Sequence, residues 1–251
     1  MRKVIIIGCP GSGKSTFARA LHERTGLPLY HLDMLYWNAD RTVVPREIFR
    51  ERLHEVLRQE AWIIDGNYSS TMELRMAACD TVFFLDYPVE VCLDGVAARR
   101  GQSRADMPWI EPANGEPDEE FLEFIRGFER DSRPGILEML EKYGDKDIVV
   151  FHNREEAQAF LEPIEHAIAR VQRMEQLLDE ITEVVHSNPD AICHDEVWQE
   201  KIHKLAVYYD GGLWMQDYRR DEQGEFPKDL KRGVLSEDAV YDLLSELELL
   251  K

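Results

Sequence analysis

The stretch VIIIGCPGSGKST, residues 4–16, decides the fold. Val4–Ile7 is an unbroken apolar run of the kind a strand buried on both faces carries. The pattern G-x-x-x-x-G-K-[ST] follows it from Gly8 to Ser15, and a helical pattern opens at Lys14. Gly8, Gly11 and Gly13 free the backbone to turn its N–H groups toward an anion, and the helix start adds its positive end. Strand, loop and helix in this order imply a nucleotide triphosphate site. In it Pro10, Ser12 and Thr16 belong to the cradle, Lys14 reaches the β and γ phosphates, and Ser15 ligates Mg²⁺. Cys9 reads as a small packing residue.

Four further apolar runs, at 28–32, 61–65, 81–86 and 147–151, alternate with helical patterns at 14–25, 45–59, 88–100 and 118–143. Strands alternating with helices predict an α/β fold with a parallel sheet, in which ligands lie at the carboxyl ends of the strands. Two acids end strands: Asp65 in WIIDGNY and Asp86 in FFLDYP. Either can serve the metal through water. Asp65 is preferred because Gly66 and Asn67 behind it permit close backbone approach, whereas Tyr87-Pro88 reads as a helix start.

The segment HLDMLYWN, 31–38, follows the second strand, where an acceptor would face the phosphate loop. There Asp33 can orient a hydroxyl and take its proton, or it can cap the next helix. Trp37 can wall an acceptor pocket or fill core. Gly66, Asn67 and Arg75 complete the acceptor side of this reading. Residues 101–117, GQSRADMPWIEPANGEP, contain three prolines and no periodicity, and predict a lid. Arg99, Arg100 and Arg104 flank it, and Arg133 lies on the helix behind; such arginines stabilise charge spreading over a transferred phosphoryl group.

With 251 residues and 44% hydrophobic content the chain can bury a core and holds two domains, expected at 1–168 and 169–251. Its formal charge of −19 disfavours general nucleic-acid binding. Residues 171–251 carry nine basic and nineteen acidic side chains, so the tail is the more acidic part. Four cysteines without CxxC spacing suggest a reduced, cytoplasmic compartment, and Cys193-His194 finds no ligand cluster. The apolar strand begins at residue 3, which leaves no room for a signal peptide, and no run is long enough for a membrane span. In the tail, Leu177, Leu178, Ile181, Val184 and Val185 fall at helical spacing. Tyr208, Tyr209, Trp214 and Tyr218 suit either a core or a partner surface.

GCPGSGKST, HLDMLYW, WIIDGNY, CDTVFFLDYP, the Cys92-Leu93…Arg99-Arg100 helix and Ser132-Arg133-Pro134 together cover residues 1–165. In this order they resemble the adenylate-kinase-like P-loop kinases, most closely the group named DNA topology modulation proteins. The resemblance implies a five-stranded parallel sheet, ATP with Mg²⁺, and a lid over the phosphates. Asp33 matches the position where shikimate-kinase-like relatives hold the acceptor hydroxyl, and Asp65-Gly66 resembles the DG pair of nucleotide kinases. The chain departs in carrying Gly95 where relatives commonly have arginine, and in lacking lid cysteines for zinc. GLWMQDY (212–218) and LKRGVLSEDAVYDLL (230–244) resemble a small bacterial helical domain family of unknown function.

Two functional classes follow. One is a small-molecule phosphotransferase whose acceptor is a nucleoside, nucleotide or other hydroxyl compound. The other is an ATP-dependent interaction module whose tail engages a protein partner. Asp33 and the lid favour the first, since a sensor needs neither.

Overall fold

The computed structural model describes residues 1–102, 106–109, 118–189, 192 and 195–249. The chain divides into two compact units, Met1–Ala157 and Gln158–Lys251. This boundary comes earlier than residue 168 and falls within the helix that precedes Pro163. Helix α9 (Arg154–Leu161) ends before that proline and α10 (Ile164–Ser187) begins after it. Pro163 has no N–H to continue the first helix but suits the entry of the second.

The first unit is built on five parallel strands in the order β2-β3-β1-β4-β5. These are β1 (Lys3–Gly8), β2 (Leu29–His31), β3 (Trp62–Asp65), β4 (Thr81–Leu85) and β5 (Asp147–Phe151). Val4–Ile7, Trp62–Ile64 and Val82–Phe84 are fully buried, which explains why they read as apolar runs rather than alternating ones. Phe17 packs edge-on against Phe83 and Phe151 at 5.1 and 5.3 Å, joining the first helix, α1 (Lys14–Thr25), to the sheet.

Register sets the site. Ile6 lies beside Asp65 and Gly8 beside Leu85, so three strands end together at one edge. From β1 the chain goes to β2, while from β3 it goes to β4, in the opposite direction along the sheet. The crevice between those ends is where such sheets bind ligands.

Around the sheet lie α2 (Leu32–Tyr36), α3 (Arg46–Leu57), α4 (Ser69–Ala78) and α5 (Val89–Ala98). The predicted helix over 118–143 is three: α6 (Glu119–Arg126), α7 (Phe128–Asp131) and α8 (Arg133–Lys142). Gly127 and Ser132 mark the breaks. Helix α4 was not expected. Its buried face holds Thr71, Met72, Arg75 and Met76, so a charged residue interrupts the apolar stripe that would have announced it.

The second unit wraps α10, α11 (Glu196–Asp210), α12 (Gly212–Glu222) and α13 (Glu237–Leu249) around one apolar core. Leu178, Ile181 and Val185 enter it as their spacing predicts, with Val184 partly buried. The tail aromatics are core: Tyr208 and Trp214 are buried, Trp214 stacks on Tyr218 at 5.2 Å, and its Nε1–H donates to Val234 O at 2.8 Å.

Beneath them lies a buried ionic knot. Arg170 donates to both Asp217 oxygens at 2.8 and 2.7 Å and to Glu162 at 3.0 Å, and the Tyr208 hydroxyl adds a third bond to Asp217. Asp217 is fully buried. Elsewhere in this unit Arg232 pairs with Asp221 and Lys231 with Asp179.

Removing one member of a buried charge pair strands the other, at a cost of about 3–5 kcal/mol. Asp217→Asn leaves Arg170 its Glu162 contact, so it should lower the stability of the transition carrying residues 158–251 by up to that amount. Urea titration followed by circular dichroism measures it, with Lys204→Ala, at an exposed pair with Glu200, leaving the midpoint unchanged.

Candidate functional site

The phosphate loop owes its shape to three left-handed glycines and to what crowds them. Gly8, Gly11 and Gly13 have φ of 148°, 87° and 93°. A Cβ on Gly8 would meet Leu85 O at 2.5 Å, and one on Gly11 would fall closer than 3.0 Å to Cys92 O in α5. A Cβ on Gly95 would in turn fall closer than 3.0 Å to Gly11 O. Backbone thus touches backbone between loop and helix. Gly95 is the residue that allows this approach.

On its other side the loop is tied to the chain after β3. The Asn67 side chain accepts from Gly8 N at 3.0 Å and donates to Gly8 O at 2.7 Å. Asn67 was expected on the acceptor side. It lines the cavity, and it also clamps the loop entrance.

That clamp has its own support. Arg75 is fully buried and donates to the carbonyls of Gly66 at 2.8 Å, Asn67 and Tyr68 at 3.2 Å. Burial pulls its guanidinium down to about 10, which still leaves it charged at neutral pH. The expectation of Arg75 as an acceptor contact is corrected: its two terminal nitrogens donate to the 66–68 backbone, and it is not among the cavity-lining residues.

The cavity itself measures about 1050 Å³, at the upper end of what single-ligand pockets span. Pro10, Gly11, Gly13, Lys14, Ser15 and Thr16 line one side. Asp33, Trp37, Asp65, Gly66 and Tyr68 line another, and Arg99 and Arg100 stand at the end of α5. Gly8 and Ser12 shape the loop from behind.

Lys14 Nζ donates to Cys9 O at 2.9 Å, and burial lowers its ammonium below the usual lysine value against the opposing charges of Asp65 and Asp33. Cys9 is buried and its thiol is pushed up, chiefly by its hydrogen bond with Cys92 and by burial, so packing is its role.

Asp65 and Asp86 separate clearly. The Asp65 side chain is 4% exposed; Oδ2 meets His31 Nδ1 at 2.9 Å, and Oδ1 has no hydrogen bond among the described residues. A buried bare carboxylate oxygen facing a cavity is costly unless a ligand or cation satisfies it. Asp86 instead takes three contacts of 2.8, 3.0 and 2.8 Å from Arg133. Arg133, expected at the reaction centre, therefore moors α8 to the end of β4 and is not among the cavity-lining residues. Arg104 and most of the expected lid lie outside the described residues.

Asp33 is the second residue of α2, whose N-cap is His31, so the capping alternative is not what forms. Its Oδ1 accepts from the Tyr68 hydroxyl at 2.7 Å. Burial and the Asp33 charge raise the Tyr68 phenol, keeping it a neutral donor. Tyr68 and Arg41 are the two non-glycine residues with positive φ among the described residues, at 34° and 66°, and both line the cavity. Strain of this kind concentrates at functional sites. Trp37 meets Trp109 edge-on at 5.4 Å, with the Arg41 guanidinium 5.8 Å over the Trp109 ring. Sequence reasoning passed over Tyr68, although it ends the quoted WIIDGNY, and over Arg41, His31, Asp106 and Trp109.

For a magnesium nucleotide the donor set fits: glycine-framed N–H groups, one lysine, a serine hydroxyl and a bare buried carboxylate. Among the described residues no three His, Cys, Asp or Glu converge on a point, which excludes an all-protein cage there. Mg²⁺ held mostly by water and phosphate needs none.

Residues 3–100 match a family model described as AAA domain, and residues 171–250 match one described as a domain of unknown function, DUF4298. No curated protein sequence matches. Among solved structures, the chain is similar to shikimate kinase from Bacteroides thetaiotaomicron at 21% identity, covering 70% of this chain and 97% of that one, with a TM-score of 0.39. It is also similar to a sugar kinase from Janibacter sp. HTCC2649 at 19% identity, covering 51% and 93%, with a TM-score of 0.31. Five parallel strands with a phosphate loop after β1 are a P-loop α/β fold, joined here to a helical C-terminal domain. Among the described residues no helix is long and apolar enough to cross a membrane.

Two substitutions test the loop's supports. Arg75→Met leaves three carbonyls without their donor, at about 1–3 kcal/mol for each buried group. It should destabilise the first unit by at least about 3 kcal/mol in urea titration. Gly95→Ala should weaken ATP binding at least about tenfold by calorimetry, as a collision with Gly11 O displaces the loop. Gly135→Ala, with open space around it, should leave binding unchanged.

Proposed function

We propose that this protein transfers the γ-phosphate of MgATP to the hydroxyl of a small molecule. The observation carrying this reading is that Lys14 and the Asp33 carboxylate line one cavity, with Asp65 between their strands. A site that only sensed nucleotide would have no use for a carboxylate held toward the second half of the cavity.

When bound, MgATP supplies the transferable group and the ion its countercharge. The loop N–H groups and Lys14 hold the phosphates, Ser15 offers a metal ligand, and Asp65 serves the metal through water. Arg99 and Arg100 bring positive charge to the cavity from the end of α5. Asp33 orients the acceptor hydroxyl and takes its proton, while Tyr68 fixes the carboxylate by donating to its other oxygen. Trp37 and Trp109, with their rings at right angles, provide an apolar corner against which the acceptor's body can lie. The acceptor class is a hydroxyl compound such as a nucleoside, a nucleotide or a sugar.

An acceptor panel followed by ATP consumption tests the reading, with Lys14→Ala as blank. Some acceptor should raise consumption well above the rate in water. Asp33→Asn should then lower turnover by about 10²–10⁴-fold, the range for a lost general base, with ATP affinity unchanged. Slow phosphate release that no acceptor accelerates and that Asp33→Asn does not alter would overturn it.

A further inference from the structure

The hydroxyl expected to meet the metal has a partner that does not come from a strand end. Ser15 Oγ donates to Asp106 Oδ2 at 2.8 Å, across 91 residues of sequence. Asp106 is 3% exposed and lines the same cavity as Ser15, Lys14 and Asp65. It lies in the chain between α5 and α6, not at a strand end.

A serine hydroxyl has one proton and two lone pairs. It ligates a cation through a lone pair, and it does so reliably only when its proton is committed elsewhere. Asp106 makes that commitment. Asp65 does not make it: Oδ2 is engaged by His31, and Oδ1 has no hydrogen bond from Ser15 or any other described residue. The two acids therefore divide the work that one strand-end carboxylate could do alone.

We propose that Asp106 is the positioning residue for magnesium: it holds the Ser15 proton, turns the hydroxyl oxygen toward the ion, and accepts hydrogen bonds from water on the ion. This rests on the MgATP reading above and adds to it a metal-site residue supplied by the chain beyond α5. Oxygen donors from Ser15, Asp65 and Asp106 suit a hard cation that keeps most of its water. Hydrogen-bond partners behind a metal ligand typically govern affinity by about 10–100-fold. In the absence of metal the same carboxylate opposes the triphosphate charge, so its neutral isostere should act in opposite directions with and without Mg²⁺.

The test is equilibrium binding of ATP to the full chain, with Mg²⁺ and with EDTA, and of Mn²⁺ to the nucleotide complex by electron paramagnetic resonance. In wild type, Mg²⁺ should tighten ATP binding. In Asp106→Asn that gain should shrink about tenfold and Mn²⁺ affinity fall to match, while ATP affinity in EDTA stays level or rises. Asp106→Glu, which keeps the charge, should restore part of the gain. In a Ser15→Ala background the effect of Asp106→Asn on the magnesium gain should be smaller than in wild type, because the part transmitted through the Ser15 hydroxyl is already lost. An unaltered magnesium gain in Asp106→Asn overturns the proposal. So does tighter ATP binding both with and without Mg²⁺, which would make Asp106 an occupant that nucleotide evicts. Absence of ATP binding by wild type overturns the nucleotide reading itself, and this one with it.

Discussion

Everything at this site depends on holding Gly8 still. One side-chain amide, that of Asn67, takes both the N–H and the carbonyl of this glycine, and so couples the end of β1 to the chain leaving β3. Asn67 can do this because Arg75 fixes the carbonyls around it from below. The order of dependence runs from a buried cation, through three carbonyls, to an amide, to a loop. Each link is a hydrogen bond inside the protein, where an unpaired partner is expensive, so the chain of support behaves as a unit.

The cavity divides its charge accordingly. Lys14 and the N–H groups of the loop form one part of its lining, and Asp33 with the aromatic rings forms another. Backbone strain is placed on the aromatic half only: Tyr68 is left-handed so that its hydroxyl reaches Asp33, and Arg41 is left-handed at the tip of the turn closed by the Asn38–Thr42 hydrogen bond. Neither conformation would survive in a loop free to relax, and the Arg75 bond to Tyr68 O is one reason Tyr68 cannot.

The sheet and the phosphate loop were legible because their signals are local. Strands buried on both faces must be apolar throughout, and a phosphate cradle needs its glycines at fixed spacing. Asp33 and Asp65 were legible for the same reason, as acids at strand ends. What escaped was set by partners far away in sequence. Helix α4 hid because its inward face carries Arg75, whose partners are carbonyls and not charges. Helix α12 hid because Gly211-Gly212 reads as a stop, whereas Gly211 is extended and starts the next helix. Arg133 looked free for chemistry until Asp86, 47 residues away, claimed it. Asp106 sat in a stretch without periodicity, where no pattern marks which polar residue turns inward.

The meeting of Gly11 with Gly95 has a mechanical consequence. Side chains usually cushion the contact between two segments, because a rotamer can shift and absorb a few tenths of an ångström. Here there is no cushion: peptide rests on peptide, and the joint is as stiff as the backbone itself. The loop and α5 must then share their small displacements. A push on Arg99 or Arg100 at the far end of that helix is felt at Gly11 as movement, with no soft material between them to damp it.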